Sequence, residues 1–417
     1  MTRGKSINPM AVRDCIMRTA RRFPLTVFFT LLFAIFALVT VWHPQLLASS
    51  ASTDLLAYFM EGAVLSFAMK IWDERTGHRH LWQHIAGQVL LLALALIWLD
   101  RGFVGEGLVT AHLSIMLSLL VACVFLPFTG ETDDIPAVNF GLHLAKQAII
   151  APYTGFFPTL ILCILVNISF PLFFDIVASR KDYYSIIIFF QIVLPMLLFL
   201  SRIFKGKRLT NRAIKLDPFV QAMMRMLIVP LATCYICILY CYECHIALAW
   251  ELPNGGVASL IAVMMGFYFL IEFYLFFINR EGIKPTSGWF MRWLPLLVMP
   301  LLILMSIGIW RRIYDYGITA TRLYLATLNA WFYVACCVMF FTKLRRINWI
   351  PISFCAIFLL TSVFPINYNS IARDYILKDI REKKEKGISK MTNAEREDWS
   401  NRVNYMEEYY QIKVYTK

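Results

Sequence analysis

The sequence predicts an all-α polytopic transmembrane helical bundle of about eleven spans, closed by a short helical C-terminal tail. Three observations predict it. Of 417 residues, 59% are hydrophobic and only 16% charged, against about 45–50% and about 25% in an average soluble domain. The mean hydropathy of +0.62 leaves too few polar groups to clothe a soluble protein of this length. The apolar residues also come in runs of about 20, the length that crosses a hydrocarbon layer of about 30 Å as a helix. In that layer each backbone N–H and C=O must find its partner inside the segment, which a helix provides and an open strand does not.

The basic segment Thr2 to Arg22 leads into a first span, Phe23 to Trp42. That run is too long for the core of a cleavable signal, and no small-residue cleavage site follows before Trp42. The second span runs from Asp54, a possible N-cap, to Trp72, with Glu61 inside it. The third is Leu81 to Leu99 and the fourth Leu108 to Phe128, followed by an acidic loop with Glu131, Asp133 and Asp134. Ala137 to Phe174 admits two readings. One is a re-entrant or interfacial helix to Ile150, a break at Pro152, Thr154, Gly155 and Pro158, and a fifth span from Phe156 to Phe174. The other is two short spans, which would invert everything downstream. The sixth to eleventh spans are Tyr183 to Leu200, Val220 to Tyr242, Val257 to Ile278, Phe290 to Trp310, Leu323 to Phe341 and Trp349 to Phe364. Pro158, Pro195, Pro230, Pro295 and Pro300 predict broken helices, since each removes a backbone donor.

This gives three regions: a basic N-terminus (1–22), a transmembrane bundle (23–364) and a soluble or membrane-surface tail (365–417). In the tail, Asn369 or Ser370 can cap a helix with Ile371, Tyr375, Ile376 and Ile380 on its apolar side, and Gly387 is a natural stop. Thr392 and Glu395 fit a capping box, and Trp399, Val403, Met406 and Tyr410 follow at helical spacing. Helices this small need a partner surface, which can be the bundle, the membrane or another protein.

The net charge of +13 follows the bias of Lys and Arg toward cytoplasmic loops. Arg3, Lys5, Arg13, Arg18, Arg21 and Arg22 place the N-terminus in the cytoplasm. Arg202, Lys205, Lys207, Arg208, Arg212 and Lys215 after the sixth span agree, as do Lys343, Arg345 and Arg346 after the tenth. Tyr242 to Gly256 carries Glu243 and Glu251 and no cation. The tail is then extracytoplasmic, and the expected setting is a bacterial inner membrane. Cations spread over loops, rather than gathered on a soluble module, argue against nucleic acid. The ten cysteines lie almost all in apolar runs and do not form a disulfide framework.

Ionisable residues inside spans are costly and mark candidate sites. Glu272 and Glu61 read as intramembrane acids, either proton or cation sites or structural hydrogen-bonding groups. Lys70 snorkels from a span end, and His112 and Asn167 read as helix-contact groups. The hairpin between the ninth and tenth spans holds Arg311, Arg312, Tyr316, Thr319, Arg322 and Tyr324 about Gly317. Its arginines depart from the charge bias. They can grip a phosphate or carboxylate of an anionic lipid or glycan by forked hydrogen bonds, or anchor the hairpin at the interface. Cys241, Cys244 and His245 match the c-type haem attachment spacing. Together with Cys234 and Cys237, however, these cysteines have heptad spacing on an apolar helix, which favours a packing stripe. Asp133 and Asp134 could hold a metal for transferase chemistry, or form a solvated acidic loop. Neither a phosphate-binding loop nor a serine-hydrolase or zinc-protease motif is present, so no metal and no cofactor beyond that haem spacing is expected.

The hairpin motif Arg312-x-x-x-Tyr316-Gly317-x-Thr319-x-x-Arg322-x-Tyr324 resembles a bacterial polytopic membrane family known only as a domain of unknown function (number forty-one fifty-three). Pro365-Ile-Asn367-Tyr-Asn369-Ser370-Ile371-Ala372-Arg373 is similar to a segment of the same family, with Tyr375-Ile376 in place of its usual Ser-Gln pair. The resemblance covers about Arg311 to Arg373. It implies a many-span inner-membrane protein and supplies no activity. Three functions then compete. A transporter or permease for an anionic envelope-related substrate needs a polar path to Glu272. A transferase acting on a lipid-linked donor needs a lateral groove beside Arg312 and Tyr316. A non-enzymatic assembly or sensing subunit needs an exposed apolar face on its tail.

Overall fold

The computed structural model describes residues 9–45, 49–100, 106–131, 133–174, 177–204, 218–249, 256–280, 286–342, 346–364, 366–385, 391–410 and 412. Several expectations fall outside them: Arg3 and Lys5, the cations at 205–215, Glu251, Lys343, Arg345, Pro365 and Gly387. Among the described residues there are fourteen helices and no strand. They are α1 (Pro9–Arg22), α2 (Pro24–Trp42), α3 (Ser49–Thr76), α4 (Leu81–Asp100), α5 (Glu106–Phe125), α6 (Ile135–Phe174) and α7 (Arg180–Ser201). Then α8 runs from Pro218–Met223 through Met224–Ile228 into Val229–Ala249, followed by α9 (Val257–Arg280), α10 (Thr286–Tyr316), α11 (Ala320–Thr342) and α12 (Trp349–Ser362). The tail forms α13 (Tyr368–Glu385) and α14 (Asn393–Tyr410).

Among the described residues, nine of these helices are long and apolar enough to cross a membrane, and the apolar parts of α4 and α12 are shorter. The chain is a multi-pass membrane bundle, and its large apolar side chains face outward as that requires. Phe28, Ile35, Val89 and Ile161 are all more than half exposed, a surface that water would not tolerate and lipid does.

Two expectations about helix limits are corrected. The stretch around Pro152 is neither re-entrant nor a pair of short spans: α6 is one helix of 40 residues that continues through Pro152, Pro158 and Pro171. The carbonyls these prolines free, those of Ala148, Thr154 and Asn167, are tolerated in membrane helices through neighbouring groups and local helix adjustments. Asp54 is no N-cap, since α3 begins at Ser49 and buries Asp54 within it.

The chain divides into two compact units, Met1–Val104 with Ile115–Arg212, and Gly105–Ser114 with Ala213–Lys417. In the first unit, Phe23, Phe67, Ile71, Cys123, Phe140 and Leu200 form a buried core. Arg22 closes one end of it. Its guanidinium pairs with Glu74 at 2.6 Å and donates to the carbonyls of Ile203 (2.8 Å) and Phe204 (2.7 Å), just past α7. A cation there satisfies orphan carbonyls and the negative end of the helix dipole. Helix α7 contains a π-helical turn, Ile188–Val193, directly before Pro195. An inserted residue moves the proline ring off the carbonyl it would otherwise strike. Helix α8 repeats the device in the second unit, with a π turn at Met224–Ile228 before Pro230.

In the second unit, Ile261, Met264, Leu301, Leu302 and Met305 are fully buried between spans. The tail helices close on each other through Ile376, Ile380, Trp399, Val403 and Met406. The expected capping box is present: the Thr392 N–H donates to Glu395 (2.8 Å) and the Glu395 N–H to Thr392 (3.3 Å). The cap of α13 is Asn367, which accepts the Ser370 N–H at 2.9 Å. The expected caps have other places, Ser370 as the third residue of the helix and Asn369 buried.

Candidate functional site

The second unit gathers polar side chains into a column inside its spans. The column begins with helical periodicity. Arg322, Asn329, Tyr333 and Cys336 are separated by seven, four and three residues, so they share one face of α11. Across it, Ser306 of α10 receives a hydrogen bond from Asn329 Nδ2 (2.6 Å) and stands 3.0 Å from the Tyr333 hydroxyl. Asn329 is 6% exposed, and its Oδ1 has no partner among the described residues.

Further along, Cys336 is fully buried beside Tyr268 and Glu272 of α9, which lie one turn apart on one face. The Tyr268 hydroxyl donates to the Met339 sulfur at 3.7 Å. Glu272 is 1% exposed, and neither of its oxygens receives a hydrogen bond of ordinary geometry among the described residues. It lies 15 residues past Val257, about 22 Å along the helix. The column therefore runs from the hairpin end of α11 to a carboxyl group deep in the bundle. A group that can lose or gain a proton there changes the local charge where charge is most costly.

The hairpin is built by Gly317, whose φ of +76° favours glycine. The Arg322 guanidinium folds back to donate to the Gly317 carbonyl, and Arg311 pairs with Asp315 one turn on, at 3.4 Å. Thr319 sits at the start of α11, its carbonyl accepting the Leu323 N–H at 3.1 Å. Arg312 is half-buried on α10, and the side chain of Tyr316 lies outside the described residues. Tyr324 faces the tail instead. Its hydroxyl is 3.0 Å from Ser362 Oγ and accepts from Asn369 at 3.4 Å, while Thr327 and Tyr368 meet at 2.6 Å. The hairpin residues thus share one end of the unit, with Arg311 and Arg322 already holding intramolecular acceptors.

The other candidates lie elsewhere. Glu61 is buried in α3 of the first unit, at 4% exposure. Lys70 pairs with Glu74 at 3.8 Å. Asn167 is exposed on α6 rather than in a helix contact. The acidic loop is not simply solvated: Glu131 pairs with Arg75, Asp134 is buried, and its carbonyl accepts the Val138 N–H at the start of α6. Cys234, Cys237, Cys241 and Cys244 are all exposed, as is His245. The stripe therefore does not pack inside this chain, because periodicity defines a face and not what that face meets. Among the described residues no three His, Cys, Asp or Glu side chains stand close enough to hold a metal.

One residue escaped the sequence reading. Arg225 lies in the π turn of α8, within a candidate span, and its Nε donates to the hydroxyl of buried Tyr274 at 2.9 Å. The signal was available: a lone arginine five residues into an apolar run that starts at Val220. No family model, no curated protein and no solved structure matches this chain.

Proposed function

We propose that the protein is a permease-like carrier for an anionic, envelope-related substrate, with Glu272 as the group that takes up and releases a proton. The observation that carries this reading is the polar column on α11, which joins the arginine hairpin to a buried acid through Asn329, Ser306 and Tyr333. Arg312 and its neighbours supply positive potential at the mouth, and Glu272 supplies the compensating charge within. The π turns of α7 and α8 support it, since such turns recur at functional sites and let a helix bend.

The reading places the chain in a bacterial inner membrane, N-terminus in the cytoplasm and tail outside, in keeping with the resemblance noted above. The assembly-subunit alternative draws less support, because the tail covers most of its apolar residues with its own second helix. A reporter fused after Lys417 and active on one side only tests the topology. Activity outside is expected, and activity in the cytoplasm overturns the orientation.

The carrier reading is tested in proteoliposomes loaded with a pH dye, with inorganic phosphate and glycerol phosphate as probes. Proton movement on addition of a probe is expected for the native chain. Glu272→Gln is expected to reduce it to the level of protein-free liposomes, and Glu272→Asp to retain part of it. Equal signals from the native chain and E272Q remove Glu272 from the mechanism. No signal from either probe overturns the carrier assignment for small phosphorylated anions.

A further inference from the structure

The first unit contains a pocket of about 630 Å³ between α2, α3, α5, α6 and α7. Phe33, Phe59, Val64, Leu144, Met196 and Phe199 wall it. The few polar side chains on its wall are already engaged: Thr30 Oγ1 donates to the Thr26 carbonyl at 2.8 Å and Gln191 Nε2 to Thr159 Oγ1 at 3.3 Å. A buried water needs two to four polar partners, so water is not the medium this wall suits. The volume is that of a ligand site, about 300–1,000 Å³ in general.

The pocket opens sideways. On its lip, Met60 and Leu120 are each 50% exposed, and Ala145 and Ala148 of α6 are exposed between them and α7. The small side chains keep the gap open. In its 40 residues α6 carries one Lys and no Arg, Asp or Glu. That residue is Lys146, exposed and next to Ala145 on the lip. A cation beside the mouth of a hydrocarbon-lined pocket matches an amphiphile with an anionic head and an apolar tail, and a lysine stem can lie along apolar surface while its charge reaches the head-group layer.

We propose that this pocket binds one acyl chain of an anionic phospholipid, with the lipid phosphate held at Lys146. The site belongs to the first unit and does not depend on the role of Glu272. It takes a lipid from the bilayer laterally, through the gap beside Ala148.

The test uses the full chain in liposomes that contain phosphatidylglycerol with a diazirine midway along one acyl chain. After irradiation the adducts are mapped by peptide mass spectrometry. Adducts are expected on Phe59, Val64 and Met196. Ala148→Trp, which fills the lip, is expected to lower them at least tenfold while adducts on outward-facing Ile161 and Leu165 stay constant. Lys146→Gln is expected to lower pocket labelling by phosphatidylglycerol several-fold and to leave labelling by the phosphatidylcholine analogue unchanged. This second variant decides the matter if A148W does not fold. Equal labelling of pocket and outward residues, insensitive to both substitutions, overturns the proposal. So does displacement of the phosphatidylglycerol probe by equimolar polyprenyl phosphate, which assigns the pocket to an isoprenoid chain instead.

Discussion

A Cβ added at Gly155 of α6 would stand 1.9 Å from the backbone oxygen of Phe190, and no side-chain rotation relieves a clash with backbone. The reason for the close approach lies in α7. The Leu194 N–H already bonds to the carbonyl of Phe189 across the π turn, so the Phe190 carbonyl faces Pro195, which has no N–H to give. Gly155, with no Cβ, leaves room for that oxygen. Gly155→Ala is therefore expected to cost about 3 kcal/mol, the upper part of the range for overpacking. A thermal-aggregation series in detergent, compared with Gly266→Ala, checks it. Gly266 is also helical and has nothing near its Cβ position. Equal losses at the two sites would mean that the Phe190 contact does not matter at Gly155. Sequence reading marked Gly155 as part of a break, because glycine and proline together punctuate soluble chains. Inside a membrane the same pair serves helix contact, and only the neighbouring helix shows which applies.

At the scale of elements, the tail pair was the most readable part of the chain. The Thr392 to Glu395 box and the spacing of Trp399, Val403 and Met406 specify one amphipathic helix, and the structure buries those three residues against α13. What the spacing does not contain is the charge lattice beside that core. Lys383 reaches Asp379 (3.1 Å) and Asp398 (2.7 Å), and Arg402 reaches the same two acids at 3.3 and 2.9 Å. Partial burial pushes the Lys383 ammonium down, but its hydrogen bonds to Asp398 and Asp379 outweigh this and hold its pKa above the usual lysine value. Partial burial pushes Asp398 up, and the hydrogen bond from Lys383 with the Arg402 charge holds it below the usual carboxylate value. The signs follow. Asp398 stabilises the tail above its unfolded pKa and loses that contribution as pH falls through its lowered folded value, below about pH 4. Lys383 stabilises below its unfolded pKa and loses its contribution as pH rises through its raised folded value, above about pH 10. These groups are half-buried and keep part of their surface in water, so each pair is worth about 1 kcal/mol. Hydrogen exchange in α13 and α14 is expected to be level between those limits and to quicken beyond each. A single acid transition with no alkaline one would remove Lys383 from the lattice.

At the scale of the whole molecule, the runs of apolar residues gave most of the apolar helices to within a few residues, with α6 the clear exception, because length and hydropathy are the properties a membrane selects. They did not give the facing of each helix. The Cys234 to Cys244 stripe and Asn167 were both assigned to helix contacts, and both lie exposed. In a soluble protein an apolar or uncharged stripe points inward. In a bilayer the outside is apolar too, so the cue is lost. Charged groups keep their meaning, which is why Glu272 could be picked out from the sequence and Arg225 could have been.

The 40 residues of α6 span about 60 Å if straight, twice the hydrocarbon layer of about 30 Å. Tilt alone would have to reach about 60° to bury it, beyond the usual 0–40°. With three prolines to bend it and a membrane to stretch around it, this helix makes the protein sensitive to bilayer thickness. In synthetic membranes the chain is expected to resist thermal unfolding better as lipid tails lengthen from 14 to 20 carbons, by a few tenths of a kcal/mol for each ångström of mismatch removed. A melting temperature independent of tail length would show that the far half of α6 leaves the hydrocarbon altogether. A cell that sorts its proteins by membrane thickness would then have one less means of retaining this one.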